Sequence, residues 1–147
     1  MNAKAMFAVL AAGLLIIAFA ADQPQTPAVI HLDHEKVAAA FTKGTPLLAT
    51  NNFKIQAGRR TGPGEVEIHD RDTDIFYVLE GSATFVTGGK AVEPRATGLG
   101  ETRAREITGG TERPLAKGDV IVIPNRVPHW FKEVNGPFLY YVVKVTK

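Results

Sequence analysis

Glu67-Ile68-His69-Asp70-Arg71-Asp72-Thr73-Asp74-Ile75-Phe76-Tyr77-Val78-Leu79-Glu80-Gly81 is the stretch on which the reading of the chain turns. Side chains alternate along a strand, so Glu67 and His69 project from one face, about 7 Å apart. Four polar residues, Asp70 to Thr73, turn the chain. Asp74 then opens an apolar run, Ile75 to Leu79, that ends at the glycine turn Gly81-Ser82. A second stretch answers it near the C-terminus: Gly118-Asp119-Val120-Ile121-Val122-Ile123-Pro124, followed by His129. Both apolar runs have the form of strands covered on both faces.

The rest of the chain reads as scaffold for these two stretches. Asp33 caps a helix over His34–Thr42 with Val37, Ala40 and Phe41 on one face; Gly44 supplies the left-handed stop and Pro46 prevents continuation. Phe53, Ile55 and Ala57 alternate with Lys54 and Gln56, the period of a half-buried strand. Thr61-Gly62-Pro63-Gly64 is a turn, Val66–His69 a strand, and Ala83–Thr87 another. Residues 90–103 are polar, with Pro94, Gly98 and Gly100, and read as the longest loop. Ala104 to Thr108, Gly109-Gly110 and a short run to Leu115 read as a hairpin, and strand patterns return at Val120–Ile123, at His129–Val134 and, after Asn135-Gly136-Pro137, at Phe138–Val145. About eight to ten short strands with Gly-rich turns make an all-β barrel or sandwich.

Residues 1–20 stand apart. Lys4 precedes an unbroken apolar run from Ala5 to Ala20, and Ala18-Phe19-Ala20 has the small-residue form of a cleavage site. This is the pattern of a secretory signal peptide, which predicts an exported protein, periplasmic or extracellular, with no membrane anchor once the segment is removed. Residues 21–28 read as a Pro-rich linker and 29–147 as one domain. The chain has no cysteine, which excludes a thiolate metal site and a Cys nucleophile. A net charge of +2 and the lack of a long basic run argue against a nucleic-acid partner.

The chemistry lies in Glu67, His69, Asp74 and His129. Imidazole nitrogen with carboxylate oxygen suits a borderline divalent ion: Fe, Mn, Ni or Zn. Two His and one carboxylate on a face leave open coordination positions, the arrangement of non-haem iron oxygenases. The plain alternative is a solvated acidic rim of Glu67, Asp70, Asp72 and Asp74 with His69 among them.

The two stretches resemble the paired motifs of the cupin superfamily. Asp74, six residues and Gly81 match the Glu and Gly of the first motif, and His69, separated from Asp74 by four residues, falls on its second histidine. Glu67 stands where the first histidine is usual. Gly118, five residues, Pro124 and then His129 match the second motif, with Arg126 where Gly is usual and Glu133 where Asn is usual. The resemblance implies a jelly-roll β-barrel with one divalent metal ion inside, held here by Glu67, His69, Asp74 and His129.

Alternation then predicts the wall of a small-molecule pocket. Phe76 and Val78 share the inward face with Asp74, and Phe131 shares it with His129. On the last strand, placing Lys144 in solvent puts Leu139, Tyr141 and Val143 inside, with Tyr141 as a candidate catalytic acid. It leaves Phe138, Tyr140 and Val142 as an apolar outer face, compatible with a homodimer. The expected function is a metal-dependent enzyme, an oxygenase or an isomerase/lyase, acting on a small organic molecule; a non-catalytic ligand- or metal-binding barrel is the alternative.

Overall fold

The computed structural model describes residues 28–147, so the segment read as a signal peptide and most of the expected linker lie outside the described residues. The helix α1 runs His34–Lys43, one residue beyond the expected end. The Asp33 side chain accepts a hydrogen bond from the Lys36 N–H at 2.8 Å, and Gly44, at φ 67°, donates its N–H to Ala40. No helix among the described residues is long and apolar enough to cross a membrane.

Eleven strands follow: β1 Pro46–Ala49, β2 Phe53–Arg60, β3 Val66–His69, β4 Asp72–Thr87, β5 Lys90–Val92, β6 Arg95–Gly98, β7 Glu101–Ala104, β8 Glu106–Thr108, β9 Thr111–Ala116, β10 Val120–Ile123 and β11 His129–Thr146. The main sheet runs β1-β2-β11-β3-β7-β6, while β4 pairs with β11 and, on its other edge, with β9 and β10. A small second sheet joins β5 to β8. All these pairings are antiparallel, and together they form a jelly-roll β fold.

Strands β4 and β11 are the frame. They pair from Asp72 with Thr146 to Thr87 with His129. Gly81-Ser82 therefore bends one long strand instead of ending it. At this bend Gly81 has φ 81°, and a Cβ there would lie 2.5 Å from the Pro137 carbonyl oxygen. Only glycine lets β4 pass this close to β11.

Ten buried residues fill the barrel, with Phe76, Phe85, Phe131, Phe138 and Tyr140 at the centre. Phe131 is the hub: its ring lies 5.8 Å from Phe76 in a stacked pair, 4.6 Å from Phe85, 5.4 Å from Phe138 and 5.2 Å from Tyr140.

The structure inverts the face expected for the last strand. Phe138, Tyr140 and Val142 are buried in the barrel, and Lys144 points inward with them. Tyr141 lies on the outer face, its ring edge-on to Phe41 of α1 at 4.9 Å. The apolar outer face expected for a homodimer is thus the core itself. Strand β2 is inverted with it, because Tyr140 pairs with Gly58 and Val142 with Gln56. Gln56 and Arg60 line the interior, and Ala57 is buried on the other side. The physical reason is α1. By covering the outside of the sheet it makes the outer face of β2 and β11 apolar, so that β11 is apolar on both faces and the polar face of β2, Gln56 and Arg60, is the inner one.

Three further expectations are corrected. Residues 90–103 hold β5, β6 and the start of β7 instead of a loop. The pattern at 104–115 is not a hairpin, since β8 pairs with β5 and β9 with β4. Strand β10 is covered on one face only: it pairs with β4 alone and leaves Val120 and Val122 exposed, opposite exposed Tyr77 and half-buried Ile75.

Gly58 gives a first test of this packing. A Cβ at Gly58 would meet the Tyr140 ring at 2.5–2.7 Å. Gly58→Ala is expected to push the ring off the strand and lower stability by about 1–3 kcal/mol, the range for overpacked cores. Urea midpoints of the two proteins check this; an unchanged midpoint contradicts the packing described.

Candidate metal centre

Cross-strand register assembles the site. His129 at the start of β11 stands opposite Glu67 on β3; on the other edge of β3, Glu67 faces Arg103 and His69 faces Glu101 of β7. Asp74 on β4 stands opposite Lys144 on β11. The turn before β11 is fastened to β3 by the Arg126 N–H, which donates to the His69 carbonyl at 2.7 Å. Arg126 has φ 67°, a left-handed conformation that glycine adopts at least cost. The sequence motif expects glycine at this very position.

Glu67, His69 and His129 each offer a ligand atom, and the three atoms lie within 4.8 Å of one another. Their outer hydrogen bonds aim them inward. His69 Nδ1 is 2.8 Å from the Glu101 carboxylate, and His129 Nδ1 is 3.0 Å from the Val127 carbonyl. In each case Nδ1–H donates outward to that oxygen, and Nε2 faces the cluster. Metal-binding histidines are held in this way, by a carboxylate or carbonyl on the far nitrogen. His129 Nε2 is buried and has no hydrogen-bond partner among the described residues. Burial lowers the pKa of His129, which keeps that lone pair unprotonated. A buried orphan nitrogen, a second imidazole and an ionised carboxylate make a donor set that fits a divalent ion.

Glu67 is held ionised well below the usual carboxylate range. Its burial opposes this, but His69, Arg103 and His129 nearby and the Arg60 guanidinium, 3.0 Å away, outweigh it. Asp74 is buried and is likewise lowered: burial is overcome by His69 and Lys144. Asp74 is close to the cluster, with one oxygen 3.4 Å from His69 Nε2 and 3.7 Å from His129 Nε2. Both of its oxygens, however, accept from Lys144 Nζ, at 2.8 and 2.7 Å. Its geometry is that of an ion pair first.

Two demands meet at His69 Nε2. Burial disfavours a charged imidazole, yet Asp74 and Glu67 raise its pKa to about 9. Lys144 Nζ lies 2.9 Å from the same nitrogen. Two N–H groups cannot both point along that line. The contact is satisfied when Nζ–H donates to a bare Nε2 while Nδ1–H stays on Glu101. His69 Nε2 thus faces a positive group, and a proton, an ammonium hydrogen and a metal ion are alternatives there.

The expected pocket residues Phe76 and Phe131 do line a cavity of about 100 Å³ beside the cluster, together with Arg60, Tyr140 and Lys144. Tyr141 has no part in it, since it packs on α1. Its neighbour Tyr140 presents the hydroxyl instead, accepting from Arg60 Nε at 3.0 Å. Arg60 also sits 4.4 Å over the Phe131 ring. A larger cavity of about 500 Å³ lies over β9 and β10, and none of Glu67, His69, Asp74 or His129 reaches it. The titratable groups Glu67, Asp74 and His129 converge on the smaller one.

Arg60 and Glu101 were not singled out from sequence, while Lys144 and Tyr140 were placed on the outer face. For Glu101 and Arg60 the signal is a charge on a short strand beside the motif. For Lys144 it is the one charge inside Leu139–Val145, facing the one carboxylate that opens the Asp74 run.

The burial of His129 gives an acid-side prediction for the metal-free protein. A group whose folded pKa is depressed contributes stability above its unfolded value, about 6.5, and loses it as pH falls toward the folded value. The parent should therefore lose stability relative to His129→Asn between pH 7 and 5, by at most about 1.4 kcal/mol per pH unit. Parallel thermal melts in chelator check it; identical pH profiles contradict it.

The sequence profile of the cupin family matches residues 19–147. No curated protein matches by sequence. Among solved structures the chain is similar to BH2720 from Bacillus halodurans, at 15% identity, 86% of each chain covered and a TM-score of 0.54. It is similar to the DMSP lyase DddQ from Ruegeria pomeroyi at 19% identity and a TM-score of 0.48, covering 67% of this chain and 41% of that one. KdgF from Halomonas sp. gives 17% identity and a TM-score of 0.48, covering 70% of this chain and 78% of that one. The chain thus spans about two-fifths of the length of the lyase, and the Bacillus likeness shows the fold alone. With the profile spanning every described residue and the jelly roll in place, the chain belongs to the cupin family.

Proposed function

We propose that Glu67, His69 and His129 hold one divalent metal ion and that the protein is a metal-dependent enzyme acting on a small organic molecule in the adjoining cavity. The observation that carries this reading is the buried His129 Nε2, unpartnered among the described residues and converging with a second imidazole and a carboxylate. A bound divalent ion would polarise a substrate oxygen or, as iron, support oxygen chemistry.

The chain's own residues supply the rest. Phe76, Phe131 and Val142 give an otherwise polar cavity its apolar side. Burial raises the pKa of Tyr140, so its hydroxyl stays neutral; it accepts from Arg60 and keeps its own hydrogen for a ligand oxygen. The cavity, about 100 Å³, is small, which favours a small substrate.

A second reading, a binding barrel without turnover, is supported by the charge pairing: Asp74 and Glu67 are already balanced by Lys144 and Arg60, so the fold stands without an ion. Turnover assays on small hydroxy, keto and enolisable acids separate the two. Activity lost on chelation and restored by one metal supports the enzyme; saturable binding with no turnover under any metal supports the barrel. The proposal also places the protein outside the cytoplasm, on the pattern of residues 1–20. N-terminal sequencing that finds Met1 intact would refute that part.

A further inference from the structure

The charges around the donor set are already closed. Three carboxylates, Glu67, Asp74 and Glu101, meet three cations: Arg60 on Glu67 at 3.0 Å, Lys144 on Asp74 at 2.7 Å and Arg103 on Glu101 at 3.3 Å. Lys144 differs from the two arginines in where its charge sits. Its Nζ bridges both Asp74 oxygens and His69 Nε2, at 2.8, 2.7 and 2.9 Å. His69 Nε2 has one lone pair, and it accepts from Nζ or binds an ion, not both. Asp74, with both oxygens on Nζ, is withheld from the donor set by the same contact. The Lys144 side chain is only 12% exposed, so water screens it little from an ion placed beside it.

We propose that Lys144 is a tethered cation that competes with the divalent metal for this site, so that the ion binds only as the lysine ammonium leaves His69 and Asp74. The inference rests on the metal reading above and adds a regulation to it: metal affinity is set by a side chain of the protein itself. The long flexible stem lets the ammonium withdraw while β11 stays in register. The cavity that Lys144 lines gives it room, and its departure returns Asp74 to the donors. Ions that bind imidazole most strongly should displace it best, so zinc and nickel should enter ahead of manganese.

The test is calorimetric titration of the chelator-stripped full chain with Zn²⁺, parent beside Lys144→Met. The variant is expected to bind at least tenfold more tightly. Equal or weaker binding by the variant, with the parent still binding, overturns the inference and leaves the metal reading standing. Binding by the variant alone supports the inference, and no uptake by either overturns both. Because Lys144→Met strands a buried carboxylate, Lys144→Met/Asp74→Asn repeats the comparison without that charge. It should bind more tightly than the parent and less tightly than Lys144→Met; affinity no better than the parent's overturns the inference. Reductive methylation of the unaltered chain reads the same event directly. Lys144 should be protected in the stripped protein and labelled several-fold more at Zn²⁺ levels that saturate the calorimetric site. Equal labelling with and without the ion counts against displacement.

Discussion

Asp74→Ala destabilises the metal-free protein by about 3–5 kcal/mol, the loss expected when one partner of a buried ion pair is removed. Asp74 is 1% exposed, and Lys144 reaches it from the opposite strand with short bonds to both oxygens. Removing the carboxylate leaves an ammonium beside the His69 imidazole, in a cavity also lined by Phe76, Val142 and His129, with Glu67 already committed to Arg60. Lys144→Met is expected to be similarly damaging, through the stranded carboxylate. The double variant should recover most of the loss, because a buried pair is worth little more than an apolar pair of the same volume. A double-mutant cycle in urea with chelator present measures the coupling. A value of about 2 kcal/mol or more supports the geometry, whereas less than about 0.5 kcal/mol would mean that the pair is screened by solvent.

The second large effect is at Phe131. Its ring touches four other aromatic rings and carries Arg60 on its face. Truncation removes the transfer free energy of the side chain and leaves a cavity between β-strands that cannot close far. Phe131→Ala should therefore lower stability by about 3–5 kcal/mol. For a domain of this size that is roughly 10–20 °C in melting temperature. Phe131→Leu, which keeps most of the volume, should lose less than half as much. Equal losses in the two variants would show that filling the hub does not matter and would contradict the core described.

Both predictions fall on residues of unequal legibility. Phe131 could be placed from its distance to His129: two residues along one strand share a face, and His129 had a motif to anchor it. Glu67 and His69 were placed the same way. Lys144 could not be. On β11 the run Tyr140-Tyr141-Val142-Val143 is apolar on both sides, because the barrel takes one face and α1 the other. The lone charge was then the natural marker of solvent, and it pointed the wrong way. A buried lysine is rare unless paired, and its pair, Asp74, lies 70 residues away in the sequence. Placing Lys144 outside also moved Tyr141 in and Tyr140 out, so one misread charge displaced the candidate acid by one residue. Residues 90–103 failed for a different reason. Strands β6 and β7 are short and polar, with β6 fully exposed, so no apolar alternation marks them, yet β7 carries Glu101 to His69. The fold itself was legible because it rests on glycines at bends, the capped helix and two aliphatic runs. These are local signals. The second set of charges around the histidines is a product of register between strands, and register is not local.

The central claim is that two histidines and a glutamate hold a metal ion. Equilibrium dialysis of the chelator-stripped protein against Zn²⁺, with elemental analysis of both compartments, tests it most directly when run beside His69→Ala/His129→Ala. One ion per chain in the parent and none in the variant is the predicted result. Zinc absent from the parent, or held equally by a folded variant, would contradict the site.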